Sequence, residues 1–175
     1  MTPTFRLTFL SALCAALAMP LAAVHAQTVL TPAPDQISDS AIHADYQTYE
    51  ATQGRIKALN DGGRRVRDYH LSKAQCWLDV SFHEYTRNDR SAFPQEALDQ
   101  SVRLIALMEQ KASPLPNDTP LVNGADKLRP DLWEATEKWK TRDGFQCVEQ
   151  RISCAEVELV HAGNEHNQLG WRHAR

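Results

Sequence analysis

The stretch DYHLSKAQCWLDVSFHEY, residues 68–85, contains no proline or glycine and repeats its apolar residues at helical spacing. At about 100° per residue, Leu71, Ala74, Trp77, Leu78, Ser81, Phe82 and Tyr85 share one arc broad enough to be buried against more than one neighbour. Cys76 and Val80, four residues apart, make a second and narrower strip outside it. A helix with two separate apolar faces needs partners on two sides, so the rest of the chain is expected to fold around this one.

Suitable partners flank it. After an N-cap at Asp39-Ser40, the residues Ile42, Tyr46, Tyr49, Ile56 and Leu59 recur at helical spacing until Asn60-Asp61-Gly62-Gly63 stops them. The connection to the central helix is short, which predicts an antiparallel hairpin. Downstream, Ser91-Ala92-Phe93-Pro94 restarts a helix to about residue 112, with Ala97, Leu98, Ser101, Val102, Ile105 and Met108 on one face. Residues 113–129 include Pro114, Pro116, Pro120 and Gly124 and are read as the one long connection, a candidate contact surface. Pro130 opens a shorter helix with Leu132, Ala135, Thr136 and Trp139 on one face. The last helix is predicted from about Ser153, with Ala155, Leu159, Val160 and Ala162 at core spacing. The fold class is therefore all-α: about five helices in an antiparallel helical-hairpin bundle, with a single tetratricopeptide-like hairpin at its centre. One such unit does not make a solenoid, which needs about three stacked copies to bury its core.

Residues 1–26 read as a signal peptide. Arg6 gives a positive start, 7–24 is uncharged and rich in Ala and Leu, and Val24 and Ala26 are the small residues before a cleavage site. Pro20 and the prevalence of small side chains argue against a membrane anchor, and Leu13 before Cys14 argues against lipidation. The domain plan is then a signal peptide at 1–26, a flexible tether at 27–41 and a helical domain at 42–175. Cleavage leaves 149 residues with 18 basic and 22 acidic side chains and no block of like charge. That balance excludes nucleic acid or an anionic membrane surface as the main partner, and no transmembrane span is expected in the mature chain.

Three cysteines remain in what would be an oxidising compartment: Cys76, Cys147 and Cys154. One bridge and one free thiol are expected. Cys147 and Cys154 are the preferred pair because little chain separates them; Cys76, on the second strip of the central helix, is the rival partner for either.

The mature chain has six histidines, His43, His70, His83, His161, His166 and His173. On the last helix His161 and Glu165 share a face and His166 and His173 share another, which makes these four the weak candidates for a metal site. No HExxH or CxxC spacing occurs, so no metal and no cofactor is expected. His83 and Glu84 point about 100° apart and read as a solvated helix end. With no GxSxG, SxxK or glycine-rich phosphate loop, the chain is not expected to be an enzyme. Trp77 and Trp139 lie on predicted core arcs, whereas Trp133 and Trp171 flank them and are candidate anchors for a partner. Asn164, Asn167 and Gln168 form an amide-rich face suited to another polar surface.

The wording of three segments carries a resemblance: YHLSKAQCWLDVSFHEYTRNDRS with FPQEALDQS, TPLVNGADKLRPDLW, and CAEVELVHAGNE. Together they resemble the N-terminal helical region of Gram-negative OmpA-family cell-envelope proteins, over most of residues 60–175. In that family a peptidoglycan-binding domain follows. The chain departs from the pattern there, since it ends at Arg175 without the Asn/Asp and Arg motif that grips diaminopimelate, so wall binding is not carried over. A natural short form or a truncated copy of a longer protein is the expectation. The resemblance implies a periplasmic envelope module with a structural or protein-interaction role, whose partners are envelope proteins at the outer membrane or cell wall. The runner-up reading is a periplasmic metal-binding protein using the histidines and glutamate of the last helix.

Overall fold

The structure, a computed structural model, describes residues 28–169. The predicted signal peptide, Trp171 and His173 lie outside them. The described residues form five α-helices and no strand: α1 Asp39–Asp61, α2 Tyr69–Thr86, α3 Phe93–Glu109, α4 Pro130–Lys140 and α5 Glu149–Leu169. No helix among them is long and apolar enough to cross a membrane.

Local chemistry explains the boundaries. Ser38 caps α1, one residue earlier than the predicted Asp39-Ser40, by accepting from Ala41 N. Gly62 closes that helix, and Gly63 turns the chain at φ 102°. Asp68 caps α2 through the backbone N–H groups of His70 and Leu71. Proline opens α3 and α4, where a missing N–H costs nothing. The last helix begins at Glu149, four residues before the predicted start.

As its two faces required, α2 is central. Its main arc packs between α1 and α3, with Leu71, Ala74, Trp77, Leu78 and Ser81 buried. Polar contacts set an antiparallel register on both sides: Gln53 bonds Gln75 and Tyr49 pairs with Ser81 across α1–α2. Across α2–α3, Ser81 Oγ donates to Pro94 O and Ser101 Oγ to Ala74 O. On the second strip Val80 is buried and Cys76 meets α5. Helix α5 runs parallel to α2, since Arg65 pairs with Glu149, Cys76 with Cys154 and His161 with Glu84. Helix α4 runs antiparallel along α5, with Asp126 just before it at Gly163 and Lys140 at its end beside Glu156.

The predicted tether is corrected by the structure from residue 28 onward. Leu30 is buried, its N–H donates to Gln95 Oε1 on α3, and Thr31 N donates to the buried Asp45 on α1. An apolar anchor and two carbonyl-type acceptors hold this segment against the bundle as a strap.

Candidate functional site

Two ionic groups occupy the α2–α5 seam, one at each end. At the start of α2, Lys73 Nζ lies 3.0 Å from Glu156 Oε2, and both side chains have no solvent exposure. Tyr69 donates its hydroxyl proton to the same oxygen, and Lys140 of α4 is 2.7 Å from Oε1. Lys73 also reaches the Asp118 carbonyl at 2.9 Å and Thr119 Oγ1 at 2.6 Å. Burial opposes ionisation of Glu156, but the charge of Lys73 and the hydrogen bonds from Lys140, Tyr69 and Lys73 outweigh it and hold the carboxyl below its usual range. Every donor here is used within the fold, so this end fastens residues 117–119, α2, α4 and α5 together.

Between the ionic groups, Cys76 and Cys154 form the disulfide, with Cα atoms 5.4 Å apart, and Cys147 is free and exposed. The preferred Cys147–Cys154 pairing is thereby overturned in favour of the rival. Cys147 ends a short 3-10 turn, Phe145–Cys147, outside the bundle, whereas the seam brings the second strip of α2 onto α5.

At the end of α2, Glu84 is buried and accepts from His161 Nε2 at 2.8 Å, which corrects the reading of His83-Glu84 as a solvated helix end. His83 Nε2 is 3.6 Å from the same Glu84 oxygen, and the buried Glu165 is 4.0 Å from His161 Nε2. Arg87 reaches in from the helix end, 3.8 Å from Glu84 and 3.5 Å from Glu165. Phe93 stacks on the His161 ring, and Glu158 faces its Nδ1 at 3.4 Å. Burial would lower the His161 pKa, but hydrogen bonds to Glu158 and Glu84 and their charges raise it to about 9. Burial pushes the other way on Glu84, where His161, Arg87 and His83 hold the carboxyl below its usual range.

Of the four predicted metal ligands, the fold brings together His161 and Glu165 and adds His83 and Glu84 from α2. His166 turns instead to Asp126, 2.8 Å away. The amide face is likewise spent inside the molecule. Asn164 is buried, and its Oδ1 accepts from Asn123 at 2.8 Å. Asn167 donates to Gly124 O, and Gln168 donates to Asp89. For Asn164 and Asn167 the polar surface is the chain's own 122–126 segment, approached so closely that a Cβ on Gly163 would run into the Asp126 carbonyl.

The tryptophans exchange roles. Trp133, a predicted partner anchor, is buried with Lys127 over its ring, while Trp139, predicted as core, is 40% exposed. The apolar stripe of α4 and that of α5 face each other across an open groove of ≈ 470 Å³. Leu132, Ala135 and Trp139 of α4 and Ile152, Ala155, Leu159 and Ala162 of α5 line it, with Arg129, Thr136 and Glu158 as polar lining.

The sequence did hold a signal for the buried charges. Lys73 and Glu84 extend the Cys76–Val80 strip by single helical turns in each direction, but judging the strip by apolar residues alone stops it short. A scan against protein-family models finds no match to this chain, and comparisons with curated proteins and with solved structures find none either.

Proposed function

We propose that this chain is an exported cell-envelope module that acts by binding a partner protein, and that the α4–α5 groove receives an amphipathic helix of that partner. The groove carries the reading. Leu132 and Trp139 are 39% and 40% exposed and share the groove with Ile152, Ala155, Leu159 and Ala162 of α5. A groove lined by large apolar side chains and three alanines suits a helix presenting apolar residues at i, i+3 or i+4, and i+7, and contiguous exposed apolar patches mark interaction sites. The leader-like residues 1–26, the disulfide and the resemblance to OmpA-family N-terminal regions support an envelope location. A binding role is favoured over a catalytic one because the ionic groups of the seam are paired with one another.

Site-specific photo-crosslinking in a Gram-negative host tests both parts. A crosslinker at position 139 should trap an envelope protein, and one at the exposed Lys57 on α1 should not. Leu132→Asp should abolish the adduct. Equal trapping at 139 and 57, or recovery of the unprocessed chain from the cytosol, would refute the proposal.

A further inference from the structure

We infer that His83, Glu84 and His161, with Glu165 as fourth ligand, form a binding site for a late first-row divalent cation of the zinc type, whose place Arg87 fills when no metal is bound. This inference does not rest on the groove or on export.

One ligand atom from each of His83, Glu84 and His161 lies within 4.8 Å of the other two. A tetrahedral zinc ion with bonds of about 2.0–2.1 Å sets neighbouring donors about 3.3 Å apart. Here His161 Nε2 to Glu84 Oε1 is 2.8 Å, His83 Nε2 to Glu84 Oε1 is 3.6 Å, and His161 Nε2 to Glu165 Oε1 is 4.0 Å. These separations straddle the required value, so small side-chain adjustments bring the donors into place. Two imidazoles and two carboxylates are also the nitrogen and oxygen ligands such cations take.

The surroundings of His161 fit the same reading. A metal-ligating imidazole usually donates its other N–H to a carboxylate, which fixes the tautomer and the ring. Glu158 lies 3.4 Å from Nδ1 and leaves Nε2 to face Glu84, while Phe93 stacks on the ring. Glu84 and Glu165 are buried, whereas His83 is half exposed and opens the site to solvent.

Arg87 supplies an observation independent of the ligands. Its Nη1 atom is 3.3 Å from His83 Nε2, 3.8 Å from Glu84 and 3.5 Å from Glu165. A single cationic nitrogen thus already lies among three of the four donors. It belongs to a side chain that is 40% exposed at the helix end. Metal and guanidinium would compete for one position.

Calorimetric titration of the chelator-treated chain with Zn²⁺ alone tests this. One zinc per chain is expected at micromolar or tighter affinity. His83→Gln, an exposed change that leaves the buried carboxylates paired, should weaken binding at least tenfold. Arg87→Ala should strengthen it severalfold, an effect that chance binding to surface histidines would not show. Binding weaker than micromolar in the wild type, binding unchanged in His83→Gln, or binding unchanged or weakened in Arg87→Ala would each overturn the assignment.

Discussion

The two ionic groups of the α2–α5 seam are built from similar residues on the same pair of helices, yet they do different things. Around Lys73 and Glu156 the charges are out of contact with water, and two backbone carbonyls, a hydroxyl and a phenol complete the coordination. Around Glu84 and Glu165 the carboxylates are buried, but their partners His83 and Arg87 come from the exposed end of the helix. A closed ionic group can only hold the fold, because removing either partner strands a charge in a low dielectric. One that opens to solvent can exchange its cation without unfolding anything.

The largest expected effect tests the closed end. Lys73→Met should lower stability by roughly 3–5 kcal/mol, the cost of leaving one partner of a buried pair. Glu84→Gln should cost less, about 1–2 kcal/mol, because a hydrogen bond to His161 survives. Denaturant unfolding of both variants checks the contrast, and equal losses would erase it.

Between the two ends, Cys76→Ser should cost about 2–4 kcal/mol by releasing a closed loop; the bridged residues are 78 positions apart. A non-reduced digest should yield a cross-linked peptide pair holding Cys76 and Cys154, with Cys147, among the described residues, open to thiol labelling.

Dependence on pH should separate the ends next. The pKa of His161 is raised in the fold to about 9, above the ordinary value of about 6.5, so the folded chain holds this proton more tightly than the unfolded chain. That contribution is whole below about pH 6.5 and is lost as pH rises through about 9, a decline on the order of 3 kcal/mol. With chelator present, wild type should lose this stability over that window and His161→Gln should not. At the acid side, Glu156 and Glu84 have lowered pKa values. Their contributions hold above the ordinary carboxyl range and disappear as pH falls below it.

The smallest effect is expected for Arg87→Ala in metal-free protein, about 1 kcal/mol, because the arginine is itself solvent-exposed and His161 stays beside both buried carboxylates. A loss comparable to that of Lys73→Met would mean the solvent-facing end is as structural as the closed one.

Helix positions were legible in the sequence because capping, proline placement and 3.6-residue periodicity act within a few residues. Gly62-Gly63, Pro94 and Pro130 each lie at the boundary they signalled. The centrality of α2 was legible too, from its two apolar faces. Which face of α4 and α5 turns inward was legible only in part. On α5 the expected core residues Leu159 and Val160 are buried, whereas Ala155 is exposed and lines the open groove together with Leu132 and Trp139 of α4. Likewise His161 was visible as a candidate ligand while Glu84, 77 residues away, was not its evident partner.

Secondary structure was thus written locally, in side chains that meet their own backbone a turn away. The pairing of Lys73 with Glu156, of Cys76 with Cys154 and of Glu84 with His161 depended on the parallel docking of two helices far apart in the chain. Only the tertiary structure could decide that register, because the free energy that sets it comes from contacts that no stretch of sequence contains by itself.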